Sequence, residues 1–300
     1  MVVIGSAGVL APGKWRPLRA LAWLAALCVA IVFIFNLLAK AVLWLLLWAD
    51  GIEPIVTSTA PPGYKLAAAI AGCIALVVAY WAAVRFGERR WVPELDLRHG
   101  PADLLMGLGI GAALLSAIVG LLWLFGWVII QPRMIDRVAL ALRDSIRSGV
   151  VEELVLRLVI FRLLWRSLGI WPAIVGAALL FGALHLANPD SSWFAAACLI
   201  AGEGIGIGLY LITGRIWSAI GMHAAWNFTQ GWVFGATVSG IAEIAGGPLT
   251  LHPAPGVSAM LSGGGFGPEA SFAALIISLL ASAACLYRAW TLGRFAATDA

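Results

Sequence analysis

Six polar side chains fall within or beside long apolar stretches: Glu152, Glu153, Arg157, His185, His223 and Asn227. Their spacing is regular. Arg157 follows Glu153 by four residues, His185 follows Phe181 by four, and Asn227 follows His223 by four. On an α-helix such pairs share one face. An Asp, Lys or Arg at bilayer depth costs at least ~2.5–3.5 kcal/mol on insertion scales. Three neighbouring apolar segments that keep ionisable groups therefore predict one polar site assembled inside a helix bundle.

The residue types suit hydrolysis. Glu153 and Arg157 stand in the favoured acid-first order, and the guanidinium favours the ionised carboxylate. Glu152 is rotated by about 100° from Glu153 and has no local partner. A carboxylate in a low-dielectric pocket gains proton affinity, which suits a general base for water. Glu152 is the candidate base, with Glu153–Arg157 as a supporting pair. Peptide hydrolysis also needs donors for the tetrahedral oxyanion and an acid for the leaving amine. His185, His223 and Asn227 can complete that set. A second chemistry stays open, because two His and one Glu are a known catalytic zinc set. Glu152, His185 and His223 could hold a divalent metal such as zinc, although no HExxH pattern is present.

Taken one by one, these residues have plainer readings. Two adjacent acids can simply face an interface, and a lone His on an apolar helix can be a satisfied core residue. Glu203 lies among Gly202, Gly204, Gly206 and Gly208, which reads as close helix packing with a buried hydrogen bond. His99 and His252 read as solvated loop residues.

The elements that must position this set are membrane helices. The chain has 300 residues, 62% hydrophobic and 11% charged, with mean hydropathy +0.97. A soluble domain carries about 25% charge. The expected fold is all-α, a polytopic membrane bundle of about eight transmembrane helices embedded in a lipid bilayer. The 15 Trp residues suit interfacial anchors. A net charge of +4 with no dense Lys/Arg run excludes a nucleic-acid footprint. Cys28, Cys73, Cys198 and Cys285 each sit in a separate apolar stretch and read as small buried residues.

Apolar runs place spans at 20–48, 66–84, 103–130, 150–168, 170–186, 193–212, 216–235 and 271–290. The first is long and interrupted by Asn36 and Lys40, which predicts a tilt or a break. Residues 132–148 alternate charged and apolar positions at helical period and predict an amphipathic helix. Residues 50–63 and 236–270 read as loops, the second rich in Gly and Pro. The domain reading is 1–135 for N-terminal transmembrane helices and a charged loop, 136–235 for the catalytic core, and 236–300 for the Gly/Pro-rich loop and last span. Lys14, Arg16, Arg19, the 85–98 cluster, Arg162, Arg166, Arg215, Arg288 and Arg294 favour an N-terminus inside the cell.

On these residues the sequence resembles the CPBP family of intramembrane proteases, which includes type II CAAX prenyl endopeptidases and bacteriocin-processing or immunity-type proteins. The resemblance is carried by Glu152-Glu153-x-x-x-Arg157, Phe181-x-x-x-His185 and His223-x-x-x-Asn227, in that order. The Gly-rich stretch from Gly204, the Tyr210-x-x-Thr213-Gly214 turn, and Asn188-Pro189 after the second motif also resemble the family. The resemblance covers residues 136–234 most strongly. It implies that Glu152 activates water with help from His185, while His223 and Asn227 stabilise the oxyanion. It further implies an integral, multi-pass protein of a bacterial inner (plasma) membrane acting on a membrane-embedded or membrane-associated peptide. Two other functions fit the same residues: a binding or immunity-type accessory protein without turnover, and a proton-coupled transporter. The absence of a visible internal repeat weighs against the transporter.

Overall fold

The computed structural model describes residues 1–53, 59–242 and 246–297, with the side chains of residues 16 and 17 excepted. Residues 54–58 of the expected 50–63 loop, residues 243–245 of the expected 236–270 loop, and the Arg16 side chain counted in the charge pattern lie outside the described part.

Ten α-helices and a two-stranded sheet follow one another among the described residues. They are α1 (Arg16–Ala49), α2 (Pro62–Ala82), α3 (Gly100–Leu124), β1 (Val128–Pro132), α4 (Val138–Glu153), α5 (Arg162–Leu168), α6 (Ile170–His185), α7 (Trp193–Thr213), α8 (Trp217–Phe228), β2 (Leu249–Pro253), α9 (Ala259–Ser262) and α10 (Phe272–Thr291). A π-helical stretch, Leu154–Phe161, joins α4 to α5 without a break, and a second one, Thr229–Val233, extends α8.

Five helices among the described residues are long and apolar enough to cross a membrane: Leu18–Ala49, Pro62–Gly87, Gly100–Leu124, Trp193–Thr213 and Phe272–Thr291. Ile170–His185 is apolar but shorter. The architecture is that of a polytopic bundle. The expected span at 150–168 is helical but carries Glu152, Glu153, Arg157, Arg162 and Arg166, and the one at 216–235 is helical only from Trp217 to Val233, so neither joins the long apolar helices. Exposed tryptophans mark helix ends, as at Trp48, Trp123, Trp171, Trp193 and Trp290.

Three expectations need correction. The first helix does not break: it runs continuously over Arg16–Ala49, and Asn36 returns its amide to the Val32 carbonyl at 2.8 Å, within its own helix. The third span ends at Leu124, not 130, because Gly126 adopts φ +69° and turns the chain. The β-branched run Val128–Ile130 then forms β1, which pairs antiparallel with β2, Ile130 opposite Leu251. The fold is therefore not purely helical, and the 236–270 segment contains a strand that its Gly/Pro content concealed. The amphipathic stretch starts its helix at Val138 and runs directly into the motif helix.

Small residues bring the inner helices together. A Cβ on Gly107 or Gly111 of α3 would strike the Ser218 or Met222 carbonyl of α8, and one on Gly221 of α8 would strike the Leu104 carbonyl of α3. In lipid, where apolar side chains gain little by meeting each other, such close backbone approach is a main source of helix association. Gly204 and Gly208 of α7 pack in the same way on Ser282 and Cys285 of α10.

One end of the bundle is locked by a buried ionic cluster. Arg162 and Glu88, both fully buried, form a two-pronged pair at 2.6 and 2.8 Å. Arg90 bonds Glu88 at 2.9 Å and Glu94 at 2.6 Å. Trp23 donates to Glu88, Tyr80 donates to Glu94, and the carbonyls of Ile4 and Leu10 accept from Arg162 and Arg166. Burial pushes the Glu88 carboxyl up, but the Arg162 guanidinium, with Arg90, outweighs it and holds the group below its ordinary range. Arg90, Arg162 and Arg166 had entered the charge pattern as orientation signals; all three are buried and structural.

Candidate active site

Glu152 and Glu153 end α4, and the π-helical stretch that follows carries Arg157. π-Helical turns recur at functional sites, where they shift side chains off the regular helical register. Here the Arg157 Nε stays 2.9 Å from Glu153 Oε2, so the expected pair forms. Glu153 is buried at 1% side-chain exposure, whereas Glu152 is 36% exposed. The neighbouring acids thus face different surroundings. Glu153 is a structural anion inside the bundle, and Glu152 opens onto a cavity.

His223 joins them. Its Nδ1 lies 2.8 Å from Glu153 Oε1, and its Nε2 lies 3.7 Å from Glu152 Oε2. Glu153, held beside Arg157, accepts from His223, which makes Nδ1 the donor and turns Nε2 toward Glu152. One turn after His223, Asn227 donates its amide to Ser148 Oγ at 2.8 Å. Ser148 is one turn before Glu152 on α4, so Asn227 is tied to the same helix face as the candidate base.

His185 is placed differently. Its Nδ1 lies 2.8 Å from the Phe181 carbonyl, an acceptor only, so Nδ1 carries the hydrogen and Nε2 keeps a free lone pair. Phe181 touches both histidines. Its ring centroid is 4.4 Å from His185 and 6.4 Å from His223, edge-on to the latter. His185 is therefore not bonded into the Glu–His–Glu chain. All six predicted residues nevertheless line one cavity of about 1020 Å³. That is at the upper end of the range of pockets that hold small molecules.

Glu203, to which the sequence assigned only packing, belongs to this site. It is 2% exposed and lies on the far side of Arg157, its Oε1 2.9 Å from Nη1. The signal was present in the sequence, since a carboxylate in an apolar span needs a partner. The partner's identity was not, because it lies 46 residues away. A second network missed from sequence lines the cavity. Glu269 accepts from Trp226 Nε1 at 3.0 Å and from the Ser239 backbone at 2.7 Å, and Asn188 donates to the Ser239 carbonyl.

Among the described residues, no three His, Cys, Asp or Glu side chains gather as a ligand cluster. Glu152, His185 and His223 face one cavity, and His223 commits Nδ1 to Glu153, so its Nε2 is the ring nitrogen that could meet a metal there.

No curated protein and no solved structure matches the chain. A family model does: Type II CAAX prenyl endopeptidase Rce1-like, over residues 134–229. That interval contains every motif residue of the cavity, from Glu152 to Asn227. The chain thus carries a central region similar to the Rce1-like CAAX proteases, set within a larger membrane bundle.

Proposed function

We propose that this protein is an intramembrane endopeptidase that hydrolyses a peptide bond of a membrane-associated or C-terminal peptide segment. Residues 136–235 form its catalytic core within an eight-span bundle of a bacterial inner membrane. The observation that carries the reading is the chain Arg157–Glu153–His223–Glu152, which ends in a cavity-facing carboxylate.

Glu152 takes a proton from a water in the cavity, and the resulting hydroxide attacks the scissile carbonyl carbon. His185, with a free Nε2 on the same cavity, orients that water. As the C–O bond forms, charge moves to the carbonyl oxygen. The Asn227 amide and protonated His223 Nε2 donate to that oxyanion. The C–N bond then breaks, and Glu152 passes its proton to the leaving amine. Glu153 stabilises the imidazolium and fixes its ring, while Arg157 keeps Glu153 ionised. An amide at position 227 favours this scheme, because Asn is a poor metal ligand and a good oxyanion donor.

The deciding experiment compares new protein N-termini in membranes from cells carrying the native chain or Glu152→Gln, at matched folded amounts. Cleavages present only with the native chain support the reading and name the substrates. Identical N-termini overturn it and favour a binding or immunity-type role for the same cavity.

A further inference from the structure

The site holds one more buried acid than the hydrolysis uses. Glu203 of α7 pairs with the Arg157 guanidinium, accepting from Nη2 at Oε2 at 3.2 Å and holding Oε1 2.9 Å from Nη1. Three residues further along α7, Gly206 leaves the space that the guanidinium fills. A Cβ there would collide with Nη2 and come within 2.8 Å of Cζ and 2.9 Å of Nε. One helix therefore presents both an acid and a notch to the same cation. These are independent features, one a charge and the other a missing side chain.

The consequence runs along the ion chain. Arg157 holds Nε in ion-pair contact with Glu153, donates Nη2 to Glu203 and keeps Nη1 in ion-pair contact with the same Glu203 carboxylate. A guanidinium released from Glu203 is free to take a single carboxylate with a two-pronged fork. Glu153 is the carboxylate within reach. Its Oε1, which now receives His223 Nδ1–H, would then be drawn to Arg157. Without that acceptor the imidazole loses the bond that selects its tautomer. We infer that Glu203 is a positioning residue: by holding the Arg157 fork it leaves Glu153 Oε1 to His223, and so keeps His223 Nε2 turned to Glu152. The inference deepens the hydrolytic reading and rests on it.

The test uses the full chain in detergent, with a peptide identified from the N-terminal comparison. The variants are Glu203→Gln and, should that one fold poorly, Gly206→Ala, which displaces the guanidinium by bulk instead. Glu152→Gln is the control. The expected result is a fall in kcat of about 10- to 100-fold per folded molecule with KM unchanged, the response to a misplaced catalytic group. Nitrogen-15 spectra of the histidine-labelled protein give a readout that needs no turnover. Titrated from imidazolium to the neutral ring, His223 should keep its remaining proton on Nδ1 in the native chain and show a mixed, or Nε2, tautomer in the variant. Native kcat per folded molecule, or an unchanged His223 spectrum, overturns the inference. A merely structural Glu203 would lower folded yield and leave both quantities unmoved. If the Glu152→Gln control cleaves like the native chain, the hydrolytic reading fails instead, and the His223 spectrum still decides the role of Glu203.

Discussion

His223 Nδ1 and Glu153 Oε1 meet at 2.8 Å, although the two residues are 70 positions apart. That bond joins the α8 face to the end of α4 and gives the two neighbouring acids different work. Glu153 is spent on Arg157 and His223, which leaves Glu152 as the carboxylate open to the cavity.

Glu152→Gln keeps the side-chain shape and removes the base. Turnover should fall by at least about 100-fold, the low end for loss of a general base. The side chain is 36% exposed, so the melting temperature should barely move. Parallel activity and thermal-shift assays on the purified variant check both halves. Native turnover would remove Glu152 from the mechanism.

Asn227→Ala deletes the amide assigned to the oxyanion. A loss of about 10²–10³ in kcat is expected, as for other single oxyanion donors. KM should change little, because the interaction strengthens only in the transition state. A variant that raises KM and spares kcat would instead place Asn227 in substrate binding.

Arg157→Ala leaves Glu153 and Glu203 buried without their shared cation. Breaking a buried pair by removing one partner costs about 3–5 kcal/mol. The variant should show low folded yield even where no substrate is present. Arg157→Lys keeps the charge and loses the fork, so it should fold better than Ala and still work poorly. Size-exclusion profiles at equal expression distinguish the two.

Glu88 makes the ionic cluster acid-sensitive. Its carboxyl is held below the ordinary carboxylate range by Arg162 and Arg90, which outweigh its burial, so its folded state binds protons less readily than its unfolded state. The stabilisation is therefore complete above about pH 4.5 and drains away as pH falls through the lower, folded-state value. Glu88→Gln should be less stable than the native chain at neutral pH, and the gap should narrow on acidification below 4.5. Thermal unfolding at a series of pH values measures it. A gap that widens in acid would contradict the assignment.

Gly111→Val tests the α3–α8 contact. A Cβ there meets the Met222 carbonyl and lies 3.0 Å from the Trp226 amide nitrogen. Overpacking of this kind costs about 1–3 kcal/mol. The site's His223 and Asn227 ride on α8, so activity should fall together with stability. Gly109→Val on the same helix meets nothing within 4 Å and should be silent in both assays.

The membrane helices were legible in the chain because lipid offers no partner for backbone polar groups, and long apolar runs therefore have to wind into helices. The expected runs 66–84, 193–212 and 271–290 correspond closely to Pro62–Ala82, Trp193–Thr213 and Phe272–Thr291. The Glu153–Arg157 pair was legible too, because a four-residue spacing on one helix determines that contact. The same logic placed Phe181 beside His185 and His223 beside Asn227. Tertiary structure decided what no local period encodes. Glu88 finds Arg162 at a separation of 74 residues, Arg157 finds Glu203 at 46, and β1 finds β2 across the whole core. It also decided which acid faces the cavity, since Glu152 and Glu153 are chemically identical neighbours. The glycines of α3, α7 and α8 let particular helix faces touch, and those contacts bring His223 to Glu153 and turn Glu152 outward.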